Sequence, residues 1–553
     1  VAAVKRWQAY LLIAALVVVL YGRTVDFGYI ELDDSLLIVD GQAFLQDLSN
    51  IPAAFRTDVF DVRFHSSSAM YYRPVLVVTL MLDAQLGGVS PFVFHLSNIL
   101  IHLLACCAIF TLLTRLGYKR DWSLLATLVF AAHPALVQAV AWIPGRNDSL
   151  LALFAVLSFL CLIRFVDALA AGAGTRTLAL RYAGHLALFA LALFTKETAV
   201  FFTLVVAYYL LAIRKVSWRD RAIMALVAGW ASVCIFWLLT RHAALADRQA
   251  EVPLSSLGDN AVANFPIFIA YIGKALLPLQ LSVWHSPADT NLIYGLVPLV
   301  ALGGLVIISQ GALRQYVVLG TIWFAVFLVP SLVVPILTGM EHRLYLPLVG
   351  FLVVFLETDL TRQVDLRKPA NVAVAAGLVA LLAIASFQRS AAFTDKQAFW
   401  ESAIRTSPSS ALAHLNLGAT YLDQSRLPEA EREFLRALEI NPAEHMAHNN
   451  LGIVYARNGL LDAAEVQLER ELELYPTYAD AYLNLGTVKM RKGHEDEAVR
   501  LWERAIELNP QHLNAYASLV RYYLGRNEPE RAEPYLQHLQ AMGVDVSSLL
   551  APR

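Results

Sequence analysis

Residues 150–166 read LLALFAVLSFLCLIRFV and hold one charge, Arg164. A run this long and this apolar has the length of a bilayer-crossing helix, which needs about 20 mostly apolar residues with a range of about 17–25. The pattern recurs outward in both directions. Ten further apolar runs are Trp7–Tyr21, Phe92–Leu113, Trp122–Ala132, Tyr182–Phe194, Ala199–Ile213, Ala222–Thr240, Leu292–Gln310, Tyr316–Leu337, Leu344–Leu356 and Ala370–Phe387. The sequence therefore predicts an all-α chain with about eleven spans. The first run has no small-residue cleavage site after it and reads as an anchor. Val75–Leu86 and Phe265–Leu281, which look amphipathic or interrupted, are expected at the membrane interface.

Composition agrees. Of 553 residues 58% are hydrophobic and only 16% charged, an apolar excess that one globular core cannot hide. A net charge of −2 gives no basic field for nucleic acid, so none is expected as a partner. Cys106, Cys107, Cys161 and Cys234 all lie in apolar runs, which leaves no disulfide framework and no zinc spacing.

Basic residues mark every second loop: Lys5 and Arg6; Arg115, Lys119 and Arg120; Arg164, Arg176 and Arg181; Arg214, Lys215, Arg219 and Arg221; Arg314; Arg362, Arg367 and Lys368. By the positive-inside rule these loops are cytoplasmic, and an odd number of spans puts the C-terminal part outside. The remaining loops gather a different set: Asp33, Asp34, Arg73, His133, Arg146, Asp148, Lys196, Glu197, Glu341, His342 and Arg343. A transporter more often places ionisable groups at mid-membrane. Here they stand at span ends on one face, where a lipid headgroup can be handled.

From about Ser390 the chain becomes polar and repetitive. Pro408, Pro442, Pro476 and Pro510 stand 34 residues apart, and Ala430, Ala464, Ala498 and Ala532 keep the same step. Gly418, Gly452 and Gly486 follow it too. This pattern resembles the tetratricopeptide (TPR) repeat, in which small residues let paired helices approach and stacking buries what one pair cannot. The expected division is a membrane domain over 1–389 with its first outer loop at 22–91, a linker and half-repeat over 390–410, about four repeats over 411–546, and a tail at 547–553. Such arrays commonly bind extended peptide. Asn416, Asn450 and Asn484 recur on the first helices and could hydrogen-bond a peptide backbone, or only solvate that face.

Five outer-face motifs stand in order: Glu31-Leu32-Asp33-Asp34; Tyr71-Tyr72-Arg73-Pro74; His133-Pro134 followed by Gly145-Arg146-Asn147-Asp148; Lys196-Glu197; and Glu341-His342-Arg343-Leu344-Tyr345-Leu346-Pro347. Adjacent carboxylates just outside a membrane suit a general base or a metal-ligand pair, so Asp33 and Asp34 could hold Mg or Mn. Arginine offers bidentate donors to phosphate. No GxGxxG or GxxxxGK[ST] string occurs, so no nucleotide site is supported. His95, His102 and His133 lie on apolar stretches and read as packed structural histidines, with His133 a possible support to the site.

Together these motifs, followed by TPRs, resemble the transmembrane and tetratricopeptide-repeat O-mannosyltransferases, inside the wider GT-C class of glycosyltransferases. The chain departs at Asn147, where Lys is common, and in its short array. The resemblance implies inverting transfer of a sugar, mannose by family default, from a polyprenyl-phosphate donor to Ser or Thr hydroxyls of exported proteins captured by the array. It favours Asp33 as base and Asp34 as its orienting or acceptor-binding partner, although the order could be reversed. It offers Arg146, Lys196, Glu197, His342 and Arg343 for the donor, with Arg73, His133, Asp148, Glu341 and Tyr345 in support. Compact loops and an Ala-, Leu- and Arg-rich composition suggest a bacterial inner membrane with the array in the periplasm, or in the endoplasmic reticulum lumen for a eukaryote. The competing readings are a non-enzymatic TPR assembly or transport protein and a ligase or polymerase of lipid-linked glycans.

Overall fold

The computed structural model describes residues 4–30, 32–60, 71–246, 256–333, 339–544 and 546; Glu31, the loop centre 61–70 and the tail 547–553 lie outside the described residues. Among those described, the chain is helical, with one isolated antiparallel bridge between His285 and Gly339. It divides into two compact units, Val1–Thr406 and Ser407–Arg553.

Among the described residues, seven helices of the first unit are long and apolar enough to cross a membrane, and a bent pair, Arg120–Ala131 with Pro134–Ala141, would make eight. This is fewer than the eleven spans expected. The other three expected spans fall on shorter apolar helices, Glu197–Ile213, Leu292–Ile308 and Pro347–Leu356. The bent pair has an identifiable cause: Pro134 has no N–H to continue the ladder, and the axis turns by 52°. The two segments expected at the interface each form a helix with one face packed into the protein and apolar residues such as Leu86 and Phe265 exposed on the other. In Pro74–Gly87, Val75 to Val77, Leu80, Met81, Asp83 and Ala84 are buried. In Leu257–Leu276, Ile269 to Ala275 are buried.

Small residues set one close crossing. A Cβ on Gly320 would stand 2.4 Å from the Gly350 carbonyl oxygen, and one on Gly350 would stand 2.5 Å from that of Gly320. Helices Arg314–Leu328 and Pro347–Leu356 therefore meet backbone to backbone, as small-residue pairs allow in lipid. That contact seats the start of Pro347–Leu356, immediately after the Glu341–Leu346 turn.

The second unit is four antiparallel helix pairs: Ala411–Asp423 with Leu427–Ile440, Ala447–Arg457 with Leu461–Leu474, Ala479–Arg491 with Glu495–Leu508, and Leu513–Gly525 with Pro529–Ala541. Ala430, Phe434, Ala464, Leu468, Ala498 and Trp502 fill the interior. The half-repeat helix Lys396–Thr406 belongs to the first unit. At Gly486 a Cβ would stand 2.7 Å from the Trp502 indole and 3.1 Å from the Ala498 carbonyl oxygen. Gly486→Val is expected to destabilise the array by about 1–3 kcal/mol through overpacking. Thermal unfolding of the full chain, followed by protease sensitivity beyond Ser407, measures it; an unchanged midpoint would contradict the packing described.

Candidate active site

A cavity of about 570 Å³ in the first unit collects residues from segments far apart in sequence: Asp33, Arg73, Asp148, Lys196, Glu197 and the pair His342-Arg343 all line it. The remainder of the wall is largely apolar, with Leu36, Leu151, Phe201, Phe327, Leu346 and Pro347.

The carboxylate couplet splits by environment. Asp33 faces the cavity. Burial raises its carboxyl to about 6, against the pull of Arg73. Asp34 is 1% exposed and does not line the cavity; its Oδ2 accepts the Ile30 N–H at 2.9 Å and so closes the turn that presents Asp33. Burial raises Asp34 to about 7, opposed by that backbone N–H and by the Trp142 indole, and supported by the charge of Asp33. Among the described residues no group of three or more His, Cys, Asp or Glu is arranged to hold an ion.

The basic wall is pre-paired. Arg73 holds Glu197 through two bonds, Nε to Oε2 at 3.2 Å and Nη2 to Oε1 at 2.9 Å. Burial alone would raise the Glu197 carboxyl, but Arg73 and then Lys196 hold it at about 2. Lys196 Nζ donates to both oxygens of Asp148, at 2.8 and 2.7 Å. Burial depresses the Lys196 ammonium and Asp148 counters it. His342 Nε2 lies 3.8 Å from Asp148 Oδ2; burial, then Lys196, Arg343 and Arg73, keep this imidazole neutral, well below the usual histidine range. Arg343 lines the cavity and reaches the Tyr271 hydroxyl, which itself donates to the Met340 carbonyl at 3.0 Å.

Four expected site residues stand elsewhere. Arg146 is fully buried: it pairs with Asp83 at 2.6 Å and donates to Asn98 Oδ1 and the Phe94 carbonyl, each at 2.7 Å. It ties helix Arg146–Ala170 to helices Pro74–Gly87 and Pro91–Arg115 and does not reach the cavity. Glu341 is fully buried between Lys274, at 2.9 Å, and Arg389. The Tyr345 hydroxyl lies 2.6 Å from His102 Nδ1. His133 Nδ1 accepts the Ala135 N–H at 3.3 Å, and its Nε2 lies 3.2 Å from the Ala275 carbonyl oxygen, a packed histidine at the bend.

In the second unit two of the repeated asparagines, Asn450 and Asn484, bond to Asn449. Asn484 Nδ2 donates to Asn449 Oδ1 at 2.8 Å, and Asn449 Nδ2 to Asn450 Oδ1 at 3.1 Å. Asn416 donates to the Leu412 carbonyl on its own helix. A bound peptide backbone would have to compete with these bonds.

Sequence reasoning missed Asp83, Lys274, Gln138, Trp142 and Trp284. Asp83 and Lys274 did carry a signal, as lone charges in apolar runs.

Tetratricopeptide repeat family models match residues 396–445, 417–479 and 479–512. Protein O-mannosyl-transferase TMTC2 of Homo sapiens is 35% identical over 162 residues, 28% of this chain and 18% of that protein. TMTC4 of Mus musculus is 26% identical over 470 residues, 73% of this chain and 62% of that protein, and TMTC4 of Homo sapiens is 26% identical over 77% of this chain and 65% of that protein. The chain thus spans less than two thirds of the length of these curated relatives. Among solved structures, the crystal structure of MamA is 22% identical, covering 32% of this chain and 94% of that one with a TM-score of 0.24. YrrB, a TPR protein with an unusual peptide-binding site, is 23% identical, covering 32% and 86% with a TM-score of 0.24. With its apolar helices, the chain is a membrane protein carrying a C-terminal TPR array.

Proposed function

We propose that this chain, whose curated homologues are the TMTC protein O-mannosyl-transferases, is a GT-C-type membrane glycosyltransferase that moves a sugar from a polyprenyl-phosphate donor to Ser or Thr hydroxyls of exported proteins. The observation that carries this reading is the convergence of a carboxylate with a raised pKa, Asp33, and the cations Arg73, Lys196 and Arg343 on one partly apolar cavity.

Asp33 takes the proton of the acceptor hydroxyl as that oxygen forms a bond to C1 of the sugar. The bond from C1 to the phosphate oxygen breaks on the opposite side, the anomeric centre inverts, and lipid phosphate leaves with the electron pair. Charge grows on the phosphate during the step, and fixed cations stabilise it without reorganising. Lys196 and Arg73, oriented by Asp148 and Glu197, supply that field. Neutral His342 can donate a hydrogen bond to the phosphate without adding charge. Asp34 orients Asp33 through the turn at Ile30. The apolar wall suits the first isoprene units, and mannose is the sugar that the homologues' names point to. The membrane is the bacterial inner membrane with the array in the periplasm, or its endoplasmic reticulum counterpart, and the array offers the surface for an acceptor protein.

The test is transfer by the purified full chain from polyprenyl-phosphate hexose to a Ser/Thr peptide across pH. The base must be ionised, and its pKa is raised, so activity is present above about 6 and falls as pH drops through it. The expected acid limb steepens toward tenfold per pH unit and bends near 6. An acid limb centred near the ordinary aspartate value would contradict Asp33 as a buried base, and no transfer at any pH would contradict the reaction.

A further inference from the structure

Residues 281–285 are neither helix nor strand, yet this strap is pinned at every step. The Ser282 N–H donates to Glu341 Oε1 at 2.6 Å, and the Ser282 and Thr406 hydroxyls are 2.7 Å apart. The Val283 carbonyl accepts from Gln138 Nε2 at 3.2 Å; the same buried Gln138 accepts the Glu341 N–H at 2.9 Å and the His342 N–H at 3.3 Å through Oε1. The Trp284 N–H returns to Ser282 Oγ at 3.2 Å, and the His285 carbonyl accepts the Gly339 N–H at 3.1 Å. An irregular segment held this way presents one large side chain to the cavity, the indole of Trp284. Behind it the Trp400 ring, 1% exposed, lies 5.8 Å away and tilted by 59°. Phe399 packs edge-on against Trp400 at 5.0 Å. Trp400 sits on Lys396–Thr406, a helix that the repeat pattern assigns to the array but that packs within the first unit.

We infer that Trp284 is the platform on which the sugar ring of the donor stacks, with Trp400 as its positioning residue. A pyranose has a face of C–H bonds and a rim of hydroxyls. An indole face carries negative charge density that attracts such C–H groups, and a wall fixed in advance loses little entropy on binding. The same strap is joined through Gln138 to the His342 N–H, so sugar and phosphate sites share one support. Such a platform would discriminate for the sugar and leave the lipid phosphate untouched.

This inference rests on the lipid-linked-sugar reading, and the experiment separates the two. Equilibrium binding of polyprenyl-phosphate hexose and of bare polyprenyl phosphate is measured on the full chain in detergent. The wild-type protein is expected to prefer the sugar-bearing lipid. Trp284→Leu should lower affinity for that lipid about tenfold, the factor corresponding to about 1.4 kcal/mol, with affinity for bare lipid unchanged. Trp284→Phe should retain most of the preference, and Trp400→Leu should lower it in the same direction. Unchanged bare-lipid binding shows that each variant is folded. If Trp284→Leu keeps the wild-type ratio of the two affinities, Trp284 is not the platform; if the wild-type protein binds neither lipid, the underlying reading falls and takes the inference with it.

Discussion

Asp33→Asn is expected to lower sugar transfer by about 10²–10⁴-fold, the range that a general base contributes, with the protein still folded and still binding lipid donor. The amide matches the carboxylate in size but cannot accept the hydroxyl proton. Because Asp33 is buried enough to be raised to about 6, its replacement also removes a charge that is costly to keep. Stability should therefore hold or rise, a combination that a purely structural residue does not give. Asp34→Asn provides the contrast. Its remaining oxygen can still accept the Ile30 N–H, so the turn persists and the loss should be smaller. Kinetics of both variants on purified protein decide the assignment: an inactive Asp34→Asn beside an active Asp33→Asn would reverse the two roles.

Arg146→Met is expected to act on folding. Removing one partner of a buried ion pair leaves the other charge uncompensated, at a cost of about 3–5 kcal/mol. Here the abandoned groups are Asp83, the Asn98 amide oxygen and the Phe94 carbonyl, all within the packed interior. The double variant Asp83→Leu with Arg146→Met should recover part of that loss, since replacing a whole buried pair by apolar groups is often close to neutral. What the double variant retains is decisive. If Arg146 is structural, the recovered protein binds polyprenyl phosphate as tightly as wild type, measured by thermal unfolding and lipid binding on the same sample. A stable double variant that had lost lipid-phosphate affinity would return Arg146 to the donor site.

The error over Arg146 shows where the sequence becomes silent. The string Gly145-Arg146-Asn147-Asp148 announces polar chemistry at a span end, and Asp148 does face the cavity. The string opens a helix, however, and residues two apart on a helix point about 200° away from each other. If Asp148 faces in, Arg146 must face away, and the choice between them depends on a partner, Asp83, that lies in a distant segment. Lys274 and Glu341 repeat the lesson: Lys274 is a lone charge in an apolar run, Glu341 stands beside His342 and Arg343 in its motif, and the two neutralise each other across 67 positions of chain, 274 to 341. Hydropathy and loop charge place Asp33, Arg73, Lys196, Glu197, His342 and Arg343 at expected span ends, as they do Arg146 and Glu341; only the fold separates the six that line the cavity from the two that do not. The array was legible because its 34-residue step repeats the same buried small residues. Trp284 had no such signal. An unpatterned strap shows its use only when the five bonds that fix it are seen together.

If Asp33, Arg73, Lys196 and Arg343 form one reaction centre for sugar transfer, the exported proteome reports on it most directly. Mass spectrometry would compare hexose-bearing Ser and Thr peptides from cells lacking the chain, cells restored with it, and cells restored with Asp33→Asn. The expected result is a set of modified peptides that disappears with the chain, returns with the wild-type protein and stays absent with the variant. Modified peptides unchanged in all three would contradict the central claim.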